Sequence, residues 1–286
     1  VGHAPVEARQ RSTQTQTIVL KGGAVLTADG RRFEPGFVIV KAGRIEAVGG
    51  GDPGDIHHAA VVDTTGQWVT PGLIDTHSHL GVYADPSARA HSDGNEATSP
   101  TTAGVWAEHA FWPQDPGIER ALMGGVTTIH VLPGSANLIG GRSVTLRTIP
   151  ARGSRAMRFP GAKDGLKMAC GENPKRVYGG RKSSPSTRMG NVRGQRAAFA
   201  AARDYVNGLA SKGVKDTPAR NLGHETLAAA MRDEILVQVH CYRADDMLNM
   251  IQLSDEFGFK IRSFHHATSA YKIRDILAER EISVST

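Results

Sequence analysis

The sequence predicts an α/β protein in which a parallel barrel of strands and helices follows a small β-rich unit. Short apolar runs that alternate with polar residues and end in glycine turns occupy residues 17–69. After Pro71 the pattern changes to apolar strands alternating with amphipathic helices, which is typical of parallel βαβ units. Histidines stand at the ends of several of these strands. These three features together predict the fold class.

The N-terminal stretch differs from the rest of the chain. The chain starts at Val1 instead of Met, and residues 1–16 are polar without hydrophobic periodicity. We expect a disordered or processed tail, because such a start fits a mature protein after signal removal as well as an arbitrary starting point. The first alternative slightly favours a periplasmic or secreted location over a cytoplasmic one.

Residues 17–69 contain short alternating runs, namely TIVLKG, AVLTADG, GFVIVKAG, RIEAVGG and AAVVDTTG. Such runs, separated by Asp-Gly or Ala-Gly turns, are typical of β-hairpins. We therefore predict a small antiparallel unit in front of the barrel.

From residue 70 onward the predicted strands and helices alternate. A strand in GLIDTHSHL is followed by a helix in IERALMGG, strands in VTTIHVLPG and SVTLRTI, and the short apolar segment GLKMACG. A basic loop then leads into a helix over residues 195–211. The remaining elements are a helix in ETLAAAMRDE, a strand in ILVQVH, a helix in ADDMLNMIQLSDEFG that ends at Gly258, a strand in KIRSFHH, a helix in SAYKIRDILAER and a strand in EISVST.

A parallel barrel and a doubly wound sheet both fit this alternation. No Gly-x-Gly-x-x-Gly follows a strand and opens a helix, which removes the main support for a dinucleotide-binding sheet. His77, His79, His240 and His266 stand at the ends of three predicted strands. Because the carboxyl ends of parallel strands meet on one face of a barrel, we favour the barrel.

The His-x-His pair of His77 and His79 indicates a metal site. Residues two apart in a strand point to the same side, so the two imidazoles face one point. Neutral imidazole is a preferred ligand of zinc and of several other divalent metals. The spacing alone is a weak signal, and it gains weight from the sequence around it.

Composition bears on the partners of the protein. The net charge is +6, yet the basic residues are scattered except in residues 176–203, which we interpret as a solvated loop leading into a helix. That segment lacks a regular interleaving of aromatic residues, so we expect no nucleic-acid partner. No apolar run reaches the length of about 18 residues that a membrane span needs. Cys170 and Cys241 lie in apolar runs, and we interpret them as two buried thiols rather than a disulfide.

The segment VTPGLIDTHSHL resembles the opening barrel strand of the amidohydrolase superfamily, in which a small β-sandwich runs into a Pro-Gly-Leu-Ile-Asp-x-His-x-His segment. LPGSANLIGGRSVTLR and GLKMACGENPKRVYG are similar to a branch related to imidazolonepropionase and to metal-dependent, Xaa-Pro type dipeptidases. The resemblance covers residues 17–286. It implies a TIM-like (β/α)8 barrel with a small N-terminal β-sandwich, residues 17–69 forming part of the sandwich and residues 70–286 forming barrel strands one to about seven.

The resemblance also implies a divalent metal site, most often of zinc, with one or two ions at the strand ends. His77 and His79 would be the first ligands and His240 the fifth-strand ligand. His266 would be the sixth-strand ligand, because the family histidine directly precedes a small residue and a threonine. His265 is the alternative at that position.

A fourth-strand group bridges the metals in two-metal members, either a glutamate or a lysine carrying a carbamate. We rank Glu172 first because it lies nearer the end of the strand, and Lys167 is the alternative, interpreted first as a structural lysine. The family's proton-transferring aspartate follows the eighth strand. The chain stops at Thr286 inside the predicted seventh strand, so the barrel is predicted to be incomplete and the catalytic acid–base residue stays unassigned.

Four further residues are candidates for substrate binding. Tyr242 and Arg243 follow the fifth-strand histidine at the mouth of the barrel, where a guanidinium can bind a carboxylate through two parallel hydrogen bonds. Capping of the next helix is the alternative for Arg243. Asn137 and Arg142 lie in a glycine-bearing loop after the second strand, for which a purely structural turn is the alternative.

Together these features predict a metal-dependent hydrolase of amide-type carbon–nitrogen bonds, acting on a cyclic amide or a dipeptide through a metal-activated water. The expected partner is a small-molecule or short-peptide substrate, and a homo-oligomer or a complementing C-terminal chain is also considered. Two alternatives remain open. One is a non-catalytic metal-binding fragment or half of a split enzyme, and the other is a deaminase of the same superfamily.

Overall fold

The computed structural model describes residues 16–211 and 219–286. The predicted tail, residues 1–16, therefore lies outside the described residues except for its last member. The chain divides into two compact units between Gly72 and Leu73. Among the described residues, no helix is both long and apolar enough to cross a membrane.

The first unit consists of two small sheets with strand orders β5-β4-β1-β6 and β3-β2-β7. The turn between β4 and β5 is a tight hairpin, with Ala42 and Gly43 both at positive φ as such turns require. Val19 and Val38 are buried in one sheet, and Val25 is buried in the other. The strands are β1 (Ile18–Lys21), β2 (Ala24–Leu26), β3 (Arg32–Phe33), β4 (Gly36–Lys41), β5 (Arg44–Gly50), β6 (Ala60–Asp63) and β7 (Trp68–Val69).

The predicted antiparallel pairing of this unit is only partly right. The pairs β1–β4, β2–β3 and β4–β5 are antiparallel, but β6 joins β1 and β7 joins β2 in parallel. Both parallel partners return from far along the chain, and a parallel pair requires such a long connection. Local alternation reveals a strand but not the direction of a distant partner.

The second unit is built on a seven-stranded sheet that alternates along the chain with helices. Its strand order follows the chain without interruption, from β8 at one edge to β14 at the other. The elements in chain order are β8 (Leu73–Ser78), α1 (Ala107–Ala110), α2 (Pro116–Met123), β9 (Val126–Val131), β10 (Ile139–Arg147), α3 (Ser154–Met157), β11 (Gly165–Ala169), α4 (Glu172–Gly180), α5 (Arg188–Ser211), α6 (Leu222–Met231), β12 (Leu236–His240), α7 (Ala244–Phe257), β13 (Ile261–His265), α8 (Arg274–Glu279) and β14 (Ser283–Ser285).

This sheet is strongly curled. His77 on β8 and His265 on β13 are five strands apart in the sheet order, yet their Nδ1 atoms lie 2.7 Å apart. A flat sheet would separate them by about 24 Å, because neighbouring strands are about 4.8 Å apart. The predicted fold class, an incomplete barrel after a small N-terminal sheet unit, is confirmed.

One strand departs from the predicted parallel arrangement. β10 runs antiparallel to both β9 and β11, whereas β8–β9 and β11 through β14 pair in parallel. The connection from β9 to β10 is too short for the crossover helix that a parallel pair needs. The predicted glycine-bearing loop is part of this strand: Gly141 has φ +114°, and a Cβ there would clash with the Val105 carbonyl oxygen.

The basic segment, residues 176–203, is not the predicted solvated loop. Most of it belongs to α4 and to α5, which begins at Arg188 and runs for 24 residues. Asn191, Gln195, Phe199 and Ala202 recur at helical spacing and are buried. The exposed arginines between them conceal this stripe in the sequence.

The expectation of two buried thiols is also corrected, because Cys170 and Cys241 form a disulfide. β11 and β12 pair in parallel with Ala169 opposite His240, so the next residue of each strand faces the other. Their Cα atoms are 5.2 Å apart, within the range that a disulfide needs. Both cysteines are buried as predicted. Only the strand register reveals the pairing, because 71 residues separate them along the chain.

Candidate active site

The two faces of the curled sheet carry different residues because side chains alternate along each strand. On β12, Val237 and Val239 belong to the main hydrophobic core, and Gln238 and His240 point to the opposite face. Lys167 has the same orientation on β11, beside Gln238 in the strand register. The concave face of the sheet is therefore polar, and the predicted histidine ligands lie at the carboxyl ends of its strands.

Five histidine rings lie together at the carboxyl ends of β8, β12 and β13, and we call them the histidine cluster: His77, His79, His240, His265 and His266. Ring centroids are 5.1 Å apart for His77 and His79, 4.6 Å for His77 and His265, and 4.7 Å for His77 and His266. His240 and His266 are separated by 4.8 Å. The structure thus brings together every histidine singled out from the sequence, including the alternative, His265.

His77 is the centre of this cluster. Its Nδ1 lies 2.7 Å from His265 Nδ1, and its Nε2 lies 3.5 Å from Lys167 Nζ. Its backbone N–H donates to Asp75 Oδ1 over 2.9 Å, which fixes the end of β8. His265 in turn contacts Ser263 Oγ through its Nε2 at 2.7 Å.

His79 is held in one tautomer by the backbone. Its Nδ1 lies 2.8 Å from the carbonyl oxygen of Leu132, and a carbonyl only accepts hydrogen bonds. Nδ1 therefore carries the proton, and Nε2 keeps a free lone pair. Metal-binding histidines are typically oriented in this way by a carbonyl or carboxylate behind them.

Lys167 is buried at 1% exposure among these rings. Burial lowers the pKa of Lys167 to about 7. Burial, followed by repulsion from Lys167, lowers the pKa of His77 to about 2 and the pKa values of His240 and His265 to about 3. At neutral pH these imidazoles are uncharged, and their lone pairs are available to a metal.

Glu172, ranked first as the bridging carboxylate, is placed elsewhere. Gly171, with φ +69°, turns the chain after β11, and Glu172 begins α4. Its Oε1 pairs with Arg188, which also binds Asp246 over 2.8 Å. Of the two candidates, Lys167, the alternative, is the one that lies among the histidines.

Of the predicted substrate-binding pair after β12, one residue lies at the site. The ring of Tyr242 is 4.6 Å from that of His240 and 6.4 Å from that of His266. Arg243 instead forms a bidentate ion pair with Asp245 at the start of α7, with contacts of 2.9 and 2.7 Å. This is the alternative considered for Arg243.

Asn137 and Arg142 are both committed to structural contacts. Asn137 is fully buried and donates to the Glu96 carbonyl and to Thr102 Oγ1, over 2.7 Å in both cases. The Arg142 guanidinium lies 4.6 Å from the centre of the Trp106 ring, and its Nε donates to a threonine hydroxyl of α6. Neither prediction of substrate contact is supported by this geometry.

Asn173 was not identified as a site residue from the sequence. Its Nδ2 donates to His240 Nε2 over 3.2 Å and to Ser135 Oγ over 2.8 Å. Arg176, one turn further along α4, contacts Asn173 Oδ1 at 3.5 Å. Both residues lie in the GENPKR segment, and their spacing of three on a helix was the available signal.

A cavity of about 550 Å³ lies next to the segment that orients His79, although none of the five cluster histidines lines it. Its wall includes Val82 and Trp106 and also Pro133, which directly follows the Leu132 that orients His79. Tyr83 packs edge-on against His79 with a centroid distance of 5.7 Å. The cavity has the size of an ordinary small-molecule site.

Comparison with known proteins identifies relatives of this chain. No protein-family model matches it. The crystal structure of an amidohydrolase from Thermotoga maritima is 41% identical, with a TM-score of 0.86, over 93% of this chain and 69% of that one. Amidohydrolase tasK of Hapsidospora irregularis is 35% identical over 263 residues, which are 85% of this chain and 27% of that protein.

A third relative bears another activity in its name. The 5-methylthioadenosine/S-adenosylhomocysteine deaminase of Symbiobacterium thermophilum is 32% identical over 149 residues, which are 48% of this chain and 34% of that protein. The chain therefore spans about a third or less of the length of these two curated relatives. The Thermotoga protein, in contrast, matches in sequence and in fold over most of both chains. On that ground, the chain belongs to the amidohydrolase superfamily.

Proposed function

We propose that this protein hydrolyses amide-type carbon–nitrogen bonds at a divalent metal ion bound by the histidine cluster. The observation that carries the proposal is the meeting of five imidazoles and one buried lysine at the carboxyl ends of barrel strands. In barrels of this kind, active sites form at that end. Membership of the amidohydrolase superfamily supports the reaction class.

The donor set fits a metal ion in its chemistry. His79 already presents a lone pair on Nε2, and His77, His240 and His266 supply further imidazoles. Within residues 16–211 and 219–286, no three His, Cys, Asp or Glu side chains are already arranged to hold a metal. Both nitrogens of His77 face other side chains, and His240 Nε2 faces Asn173. Metal binding therefore requires these two rings to give up those contacts.

Lys167 takes the place first assigned to Glu172. A neutral amine adds to carbon dioxide and releases one proton, which turns the lysine into an anionic carbamate. With its pKa lowered to about 7, Lys167 is roughly half neutral at that pH. A carbamate at Lys167 would supply oxygen ligands to a metal ion held by the imidazoles. Zinc is the first candidate because it binds imidazole and carboxylate-type oxygen together.

The chain's own residues divide the remaining tasks. A metal bound here would lower the pKa of a bound water towards about 7 and polarise the carbonyl under attack. The Leu132 carbonyl keeps His79 in its binding tautomer, and Asp75 fixes the backbone of His77. The 550 Å³ cavity receives the substrate beside the cluster, and the Tyr83 and Tyr242 rings pack against its histidines. The superfamily resemblance assigns proton transfer to an aspartate after an eighth strand, and the described residues contain seven strands of this sheet.

The test is hydrolysis of an amide panel by the metal-loaded protein, with the released amine measured. N-acyl amino acids, Xaa-Pro dipeptides and imidazolone-type lactams form the panel. We expect His79→Ala to lose hydrolysis, and His57→Ala, an exposed histidine of the first unit, to retain it. Equal hydrolysis by the wild type and the His79 variant would contradict the proposal.

A deaminase is the second candidate, supported by the similarity to the Symbiobacterium deaminase. The two functions differ in their product, because a deaminase releases ammonia from an aminated heterocycle and leaves the ring closed. Ammonia release from adenosine-type substrates without hydrolysis of the amide panel would favour it.

The Cys170–Cys241 disulfide supports a location in an oxidising compartment, which we retain as a proposal.

A further inference from the structure

We propose that Arg176 and Asn173 form a carboxylate-binding subsite beside the histidine cluster, so that the substrate is an amide with a free carboxylate close to the scissile bond. This inference rests on the proposed function, and it names the substrate class for the same site. N-acyl amino acids and dipeptides with a free C-terminal carboxylate belong to that class.

Asn173 connects the subsite to the cluster. Its side-chain amide lies between a ring of the cluster and the loop after β9, with His240 Nε2 at 3.2 Å and Ser135 Oγ at 2.8 Å. A substrate held at the histidines therefore passes directly by this amide. The same nitrogen can donate to a substrate carboxylate once it gives up one of these contacts.

Arg176 provides the charge. It lies three residues after Asn173, and on a helix that spacing places both side chains on one face. The contact from its Nη2 to Asn173 Oδ1 measures 3.5 Å, at the long limit for a hydrogen bond. The residue is exposed, and among residues 16–211 and 219–286 it forms no ion pair. Its guanidinium is thus positioned by Asn173 but not neutralised.

The other arginines of this region are already engaged. Arg243 pairs with Asp245, and Arg188 pairs with both Asp246 and Glu172. Arg142 lies over an indole ring and donates to a hydroxyl group. Of these four arginines, Arg176 is therefore the one whose guanidinium is available to an anionic group that binds beside His240.

The chemistry of the arginine side chain suits this selection. Guanidinium and carboxylate match in shape and form two parallel hydrogen bonds. Arg176 contacts Asn173, and Asn173 contacts His240. Because this chain of contacts is short, we expect the substrate carboxylate to lie only a few bonds from the scissile amide.

The experiment compares Arg176→Met with Arg243→Met in the metal-loaded protein. Both arginines are exposed, but in the part of the chain that the structure describes Arg243 has an acidic partner and Arg176 has none. The substrates are N-acetyl-L-amino acids and the matching N-acetyl amino alcohols, in which a neutral hydroxymethyl group replaces the carboxylate. Binding of each compound is followed by calorimetry beside hydrolysis.

We expect the wild type to prefer the acids over the alcohols. Arg176→Met should raise KM for the acids by about 10- to 100-fold, the range that a lost charge-assisted contact gives, with kcat nearly unchanged. The alcohols should be affected little, Arg176→Lys should restore part of the preference, and Arg243→Met should behave as the wild type.

Two results overturn the subsite. One is a wild type that hydrolyses both series equally, and the other is a preference for acids that persists in Arg176→Met. Either result leaves the proposed function intact, because amides are still hydrolysed. If the metal-loaded protein hydrolyses no amide at all, the proposed function fails and the subsite fails with it.

Discussion

The two faces of the seven-stranded sheet are made from the same strands but obey different rules. The face towards the helices is apolar, and Leu166, Met168, Val237, Val239 and Phe264 lie there fully buried in one core. Each buried side chain of this kind stabilises the fold by about 1.5–3 kcal/mol. Burial on this face is a main source of the stability of the fold.

The concave face places polar groups at the alternate positions, namely Lys167, Gln238, His240, Ser263 and His265. Burial of such groups is unfavourable unless they find partners. Some do, as Ser263 with His265, but within residues 16–211 and 219–286 Lys167 forms no ion pair, and its Nζ lies 3.5 Å from His77 Nε2. Stabilising apolar burial is thus concentrated on the helix-facing side. The concave face buries polar groups at a cost in folding free energy, and these are the groups that a metal site would use.

The largest expected effect is a loss of hydrolysis on changing a residue of the concave face. His79→Ala removes an imidazole on the concave face whose Nε2 is free for a metal, so hydrolysis should fall to background. The free energy of unfolding of the metal-free protein should change little, because His79 is only partly buried. Amide hydrolysis and urea unfolding of the same preparation check both parts. A large loss of stability with activity retained would show that the ring has a structural role.

The converse change is on the helix-facing side. Phe264→Ala should lower the free energy of unfolding by about 3–5 kcal/mol, because it leaves a cavity in a fully buried position. Metal affinity of the folded fraction should remain close to that of the wild type, although Phe264 directly precedes His265. Denaturant unfolding and metal titration measure the two quantities. A variant of normal stability that lacks metal would contradict the division between the faces.

The disulfide joins the ends of β11 and β12 within the main hydrophobic core. Replacing Cys170 and Cys241 together by serine should lower the free energy of unfolding by about 2–4 kcal/mol, since the bridge closes a long loop. The wild type in reducing buffer should show the same loss, and the serine variant should not respond to reductant. Equal stability of the oxidised and reduced wild type would argue against the bridge.

Lys167→Met should stabilise the metal-free protein by about 1–4 kcal/mol in buffer without carbon dioxide, as expected when a buried ionic group is replaced by an apolar one. Burial lowers the pKa of Lys167 from 10.5 to about 7, so between these values the unfolded chain binds more protons than the folded one. Wild-type stability therefore rises with pH across that window, and the advantage of the variant should be largest near pH 7 or below and shrink towards pH 10.5. A pH-independent difference between the two proteins would contradict the lowered pKa.

Much of the fold and cluster follows from local patterns in the sequence. The His77–His79 pair needs only the two-residue repeat of a strand, and His240 and the His265–His266 pair need only the rule that parallel strands end on one face. Gly258 ends α7 in the left-handed conformation, as predicted from its position after the amphipathic stripe. These inferences depend on neighbours along the chain.

The features that sequence reasoning missed depend on register between distant segments. The antiparallel direction of β10 and the disulfide both follow from which strands pair and with which offset. The ranking of Glu172 over Lys167 relied on nearness to a strand end, which does not reveal the turn at Gly171 that leads Glu172 into α4. Asn173, which contacts His240, lies on a helix, and the rule that parallel strands end on one face says nothing about helix residues.

Metal stoichiometry tests the central claim most directly. The wild type and His79→Ala are prepared side by side, stripped with a chelator, and titrated with zinc while bound metal and amide hydrolysis are measured together. We expect the wild type to bind one or two zinc ions per chain and to regain hydrolysis as zinc is added. The His79→Ala variant should lose both zinc binding and hydrolysis. Hydrolysis by the stripped wild type, or unchanged metal binding by His79→Ala, would contradict it.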